Sequence, residues 1–561
     1  MDQFNRPPAS ASSARRHSET AAAAGTRAAA ASGKPTSAGG TITASVVRDA
    51  EDFESILFLY PERYALDGEI AEPACFPDLN LDQVVDMATA TRGEYDLKGY
   101  FHICLGSVDE VSYRHEILRD LEEQPVLSHV RLFADAMHAM REHLVQAGKL
   151  YNGYQRDSWF LDAVEIYCRA VGTLAAGLEK AGLKSRGMRA FRAHLQAYIG
   201  SKRFTSLTSA IAGLKRDLTA IRYCIYFIGD GFRVHRYRQE TDYSVEIEQT
   251  FAKFRQGDAK DYRSKLPDWI EMNHVEEKVL EFVGRLWPEP FERLEKFYAT
   301  ESGAFADERV SGFDRQVQFY LAWLEYIEPL KQQGLHFCYP RVSDRSKAVK
   351  GVETFDLALA HKLETEKKRV VCNDFSLRGK ERILVVSGPN QGGKTTFSRT
   401  FGQMHHLASL GLTVPGREAQ LFLFDRLFTH FEREEDISNL RGKLQDDLVR
   451  VHEILEEVTP RSIVITNEIF TSTTLQDATF LSEKVMRVLV ELDLICVWVT
   501  FIHELSTFSD KTVSMVSIVD PDNPAIRTFR VERQKASGRS YAMSIAEKYG
   551  LTQERLKERI Q

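Results

Sequence analysis

Apolar residues recur at spacings of three and four along two stretches of the first half of the chain: Val130, Phe133, Met137, Met140 and Leu144, then Leu161, Val164, Tyr167, Val171, Leu174 and Leu178. That period puts each set on one face of an α-helix, and it predicts a mainly helical region from Thr41 to about Leu335 with both stripes as core. The pattern then changes. Residues 232–237 and 243–247 alternate apolar and polar positions around the polar stretch 238–242, which predicts a small β-hairpin. Farther on, Ile383–Ser387 and residues 462–466 are short unbroken apolar runs, as expected of strands buried on both faces. Residues 396–410 read as a helix.

At 561 residues the chain is long enough for roughly two to four domains. A hydrophobic content of 43% with 10% aromatics is that of globular proteins. Residues 1–42 are rich in Ala, Ser, Thr, Gly and Arg and carry little that could be buried, so they read as a disordered tail. An Arg- and Ser-rich, acid-poor start is also the composition of an organelle transit peptide. Seven cysteines, odd in number and without C-x-x-C spacing, suggest reduced core residues and a cytoplasmic protein, nucleoid-associated if bacterial. No run reaches the ~18 apolar residues needed to span a bilayer, so no membrane partner is expected.

The densest chemistry lies at GPNQGGKTT, residues 388–396, which fits G-x-x-x-x-G-K-[ST] between a predicted strand and a predicted helix. Gly388, Pro389, Asn390, Gln391, Gly392 and Gly393 would curl the backbone so that N–H groups converge on phosphate oxygens. Lys394 would reach the β- and γ-phosphates, Thr395 would offer a hydroxyl to Mg²⁺, and Thr396 completes the contact, so the expected cofactors are ATP and Mg²⁺. The second apolar run ends in Asn467 and Glu468. Glu468 is placed to orient or deprotonate an attacking water. Asn467 stands where a metal-side Asp is usual; its neutral amide oxygen would hold Mg²⁺ less tightly.

These residues carry a resemblance. Asn373-Asp374, GPNQGGKTT, EDISNLRGKLQDDL (435–448), NEIFTSTTLQDA (467–478), VTFIHEL (499–505) and SGRSYAMSIAEKYGL (537–551) occur in the order and spacing of the MutS mismatch-repair ATPase domain. The resemblance covers about residues 341–555. It implies an α/β P-loop ATPase of the ABC type in the C-terminal half, preceded by a mainly α-helical core and lever region with the small β-hairpin. The boundaries it suggests are 43–180 for the core region, 181–340 for the lever-like region and 341–561 for the ATPase domain. It further implies a homodimer paired head to head, in which Thr473 and Thr474 open a helix facing the neighbour's γ-phosphate.

Departures accompany the matches. Where the family has Gly-Arg-Gly this chain has Phe470-Thr471-Ser472, its Gly-Arg-Ser-Thr is Leu440-Arg441-Gly442-Lys443, the switch histidine is Phe501 with His503 two residues on, and the adenine-stacking aromatic is Val370. A weak, DNA-dependent ATPase is therefore expected. The alternative is an adaptor that binds ATP without turning it over. A small-molecule kinase on the same loop would leave the helical half and the signature-like segment without a role.

The chain is formally −7, yet residues 181–238 hold twelve Lys and Arg against Asp217 and Asp230. That local excess suits contact with a phosphate backbone, and Tyr198, Phe204, Tyr223 and Tyr237 lie among the charges where stacking on bases or simple core packing would both fit. No Phe-x-Glu tripeptide in a suitable setting precedes the helical region. The resemblance thus implies a MutS-like protein without the mismatch-reading N-terminal domain, whose partner is branched or distorted duplex DNA.

Overall fold

The computed structural model describes residues 53–64, 70–229, 231–241, 272–432, 442–520 and 526–536, with isolated positions at 243, 246, 250 and 557. The N-terminal tail, residues 435–441 of the 435–448 segment, and the 537–551 segment lie outside the described residues.

The helical half is built on long elements: α1 (Val108–Glu122), α2 (Gln124–Lys149), α3 (Gly153–Lys180), α4 (Arg186–Ile199) and α5 (Lys202–Thr219). Ser107, Asn152, Ser185 and Ser201 cap α1, α3, α4 and α5, each accepting a backbone N–H three residues on. The helical stripes are buried from Val130 to Met140 and from Leu161 to Leu178, and Leu144 is partly buried against the same core.

Strands β1 (Tyr223–Ile228) and β2 (Gly231–Arg236) follow as an antiparallel hairpin, then helices α6 (His274–Leu286), α7 (Pro288–Glu301) and α8 (Glu308–Gln332). The hairpin differs from the expected one. Residues 232–237 do contribute a strand, but its partner precedes it, and the described positions Tyr243 and Glu246 are helical. Alternation could not reveal β1, because Tyr-Cys-Ile-Tyr-Phe-Ile is apolar throughout. The connection is two residues long, with Gly229 at φ +59°.

The remainder is mixed α/β. A four-stranded sheet runs β3 (Arg341–Ser343), β7 (Glu418–Phe422), β4 (Val349–Thr354), β5 (Asn373–Leu377) in spatial order. A six-stranded sheet runs β8 (Leu427–Phe431), β9 (Ile463–Asn467), β10 (Ile495–Val499), β6 (Ile383–Ser387), β11 (Thr512–Val519), β12 (Arg527–Arg533). Its first five strands are parallel and β12 joins antiparallel. All five residues of β6, β9 and β10 are buried, as both faces of a parallel sheet require. Helices α10 (Lys443–Glu457) and α11 (Leu475–Glu491) flank β9 in sequence.

Helix α9 (Lys394–Ser409), which leaves β6, joins the two halves. Gln403 donates to Leu79 O at 2.8 Å, His406 contacts Phe101 O at 2.9 Å, and Arg399 donates to Asp78 O at 2.9 Å. At its C-terminal end the buried Arg114 donates to Leu410 O at 2.9 Å and to Leu57 O at 2.7 Å, between the rings of Phe58 and Phe319. A guanidinium there meets the negative end of the helix dipole. The same helix therefore touches the helical half along its length and begins in the glycine-rich loop. Among the described residues no helix is long and apolar enough to cross a membrane, and all seven cysteines are free.

Candidate nucleotide site

Parallel strands end on one side of the sheet, and the loop of residues 388–393 leaves β6 there, at the point where the strand order turns from β10 to β11 on either side of β6. Gly388, Gln391 and Gly393 take φ of +122°, +60° and +92°. A Cβ on Gly388 would come within 2.9 Å of Ser517 Cβ, and one on Gly392 would collide with Ser517 Oγ. Ser517, fully buried on β11, donates to Gly392 O at 2.6 Å. The loop is thus pressed against β11 at the two places where glycine leaves room.

Helix α9 starts at Gly393 without a side-chain cap, so its first N–H groups face the loop. Lys394, 4% exposed, donates to Gly388 O at 2.9 Å and to Asn390 Oδ1 at 3.1 Å, and its ammonium lies 3.1 Å from Glu468 Oε1. Thr395 Oγ1 donates to Asn467 Oδ1 at 3.0 Å. Pro389 is buried, Asn390 and Gln391 are exposed, and Thr396 is half-buried with its carbonyl accepting from Thr400. The fold therefore brings Gly388, Gly392, Gly393, Lys394, Thr395, Asn467 and Glu468 together across 80 residues of sequence.

Glu468 sits at φ +55°, its N–H donating to Val499 O at 2.9 Å. Two residues on, the fully buried Phe470 takes φ +61°, a conformation costly for an aromatic. It occupies the position of a family glycine and is held there by burial and by Asp447, which accepts from Phe470 N at 3.3 Å and lies 3.1 Å from His430 Nε2. Thr474 caps α11 by accepting from Asp477 N, and both Thr473 and Thr474 donate to the Asp477 carboxylate. Leu475 and Phe480, in the first turns of α11, are exposed. Phe501 and His503 are exposed as well, with His503 Nδ1 at 3.4 Å from Glu504. Val370 is half-buried against the core.

Several residues entered the site without a legible signal. Ser517 has none in its neighbourhood, because its role depends on β11 pairing with β6. Asn373 stands in the Asn373-Asp374 pair of the sequence pattern, which does not indicate its contacts; its amide donates to Phe529 O at 3.1 Å and accepts from Val531 N at 2.7 Å. That bracket holds Phe529 at φ +58°, beside Gly393. Arg527 donates to Asn390 O at 3.2 Å.

Tertiary structure reduces the basic segment. Arg186 pairs with Glu116 and Asp109, Arg203 with Glu301, and Lys215 with Asp162 and Glu165. Tyr198 and Phe204 pack in the core, whereas Tyr223 and Tyr237 are exposed. Arg189, Arg222, Arg233 and Arg238 are exposed.

Residues 384–560 match the family model described as MutS domain V. A DNA mismatch repair protein MutS of Shouchella clausii is 28% identical over 271 residues, 46% of this chain and 30% of the relative. An Endonuclease MutS2 of Thermus thermophilus is 31% identical over 188 residues, 33% of this chain and 25% of the relative. The matches thus span less than a third of the length of these relatives. The family-model match falls on the part of the chain that holds the glycine loop, the strands around it and Glu468, and this part is similar to MutS domain V.

Proposed function

We propose that this protein is an ATP-dependent, dimeric DNA-binding member of the MutS family that recognises branched or distorted duplex and works in DNA repair or recombination. One observation carries the reading: the buried Lys394 ammonium sits over a loop in which Gly388 and Gly392 leave no room for side chains, 3.1 Å from Glu468, with the Thr395 hydroxyl on Asn467 beside it.

The donor set fits a nucleoside triphosphate. Backbone N–H groups of the loop and of the first turn of α9 would bind phosphate oxygens, and Lys394 would neutralise the terminal phosphates. Thr395 and Asn467 would hold Mg²⁺, which supplies charge neutralisation between the β- and γ-phosphates. Among the described residues there is no cluster of three His, Cys, Asp or Glu for a metal, so the cation would depend on the nucleotide for most of its ligands. Glu468 would orient the attacking water. Thr473 and Thr474, on the exposed start of α11, would meet the nucleotide of a second copy, with Leu475 and Phe480 in the contact. Closure would reach DNA through α9 and the lever-like region of residues 181–340.

Steady-state ATP hydrolysis with and without DNA tests the reading. DNA-stimulated turnover that disappears in Glu468→Gln supports it. The neutral Asn467 favours a second reading, an adaptor that binds ATP as a structural switch; tight ATP binding without turnover under any condition supports that one.

A further inference from the structure

The β1–β2 hairpin exposes apolar side chains that a soluble protein ordinarily hides. Phe227 is 79% exposed and Ile228 58%, at the end of a strand of six uncharged residues. A two-stranded hairpin has little core of its own. Here one face is supported: Phe232 packs edge-on to Phe282 of α6, and Val234 joins the cluster of Val279, Val283 and Phe291. The register pairs Phe227 with Phe232, on the face turned to α6, and Ile228 with Gly231, so Phe227 stands at the open rim of that cluster and Ile228 projects from the opposite face of the tip.

Charge selects what such a tip meets. Arg222, Arg233, Arg236 and Arg238 lie on or beside the hairpin, and the acids of residues 222–240 are Asp230 and Glu240 alone. Arg236 is taken up by Leu286 O and the Trp287 ring, while Arg222, Arg233 and Arg238 are exposed. An apolar point with cations along its flanks is mismatched to another copy of the same basic surface. It matches a polyanion whose interior is apolar and stacked.

We infer that the hairpin is a duplex-DNA wedge: Phe227 and Ile228 insert at an unstacked base step while Arg222 and Arg233 hold the flanking phosphates. This rests on the DNA-binding reading above and names the contact that would favour distorted over regular duplex, since a step already unstacked costs less to open.

The test uses the full chain and a duplex with 2-aminopurine beside a branch point. Wild type should raise the 2-aminopurine fluorescence on binding. Phe227→Ala/Ile228→Ala should lose that rise and bind about tenfold more weakly, with an unchanged salt slope, unchanged ATP binding and unchanged melting temperature. Arg222→Gln/Arg233→Gln should keep the rise at saturation but lower the salt slope by up to about two. Wild-type affinity and fluorescence in the Phe227/Ile228 variant would overturn the wedge and leave the DNA-binding reading standing. No binding of wild type at low salt would overturn both. A variant altered only in self-association, by sedimentation, would make the tip a contact between copies and overturn the wedge.

Discussion

Ser517 Oγ donates to the carbonyl of Gly392 at 2.6 Å, from a strand 125 residues downstream of the loop it steadies. Removing the hydroxyl leaves a buried carbonyl without its partner, at a cost of about 1–3 kcal/mol. Ser517→Ala should therefore weaken nucleotide affinity about tenfold in a fluorescent-nucleotide titration. Ser514→Ala, on the same strand, is the control: its hydroxyl makes no hydrogen bond, and affinity should stay as in wild type.

Asn467 accepts from Thr395 where the family has a carboxylate. Asn467→Asp adds a charge beside the expected Mg²⁺ position, so turnover should rise or its Mg²⁺ dependence should steepen. Steady-state rates across a Mg²⁺ series check this, and a slower enzyme would assign the amide a purpose of its own.

Arg189 is exposed on α4, with its guanidinium reaching back to Ser185 O at 3.3 Å, and Arg192 lies one turn on. Reversing both to Glu should weaken binding to all DNA sequences alike and lower the salt slope by up to about two. Equal slopes before and after would place these arginines on a solvated face.

Burial pushes His115, His405 and His406 down to about 4 from their ordinary 6.5. The unfolded chain then binds more protons than the folded one between about pH 6.5 and 4, so these groups make stability fall as pH falls through that window. Asp314 and Asp356, pushed up to about 6 by burial, act in the opposite sense below pH 6. His406→Gln removes one histidine's share and can keep a donor for Phe101 O. Chemical denaturation as a function of pH should then show a slope between pH 6.5 and 4 shallower by up to about 1.4 kcal/mol per pH unit.

What the sequence determined by itself is local. An unbroken apolar run marked Ile383–Ser387 to the residue, glycines at fixed offsets from a lysine marked the loop, and spacings of three and four marked the buried faces of α2 and α3, because period and turn chemistry are set by neighbours in the chain. Pairing across long separations was decided only by the fold. Tertiary packing brought Ser517 under the loop, forced Phe470 into a glycine's conformation over Asp447, consumed Arg186, Arg203 and Lys215 in ion pairs, and moved the hairpin's first strand to Tyr223–Ile228. Burial and strand register depend on which distant segments meet, and an apolar strand such as β1 carries no alternation to announce its face.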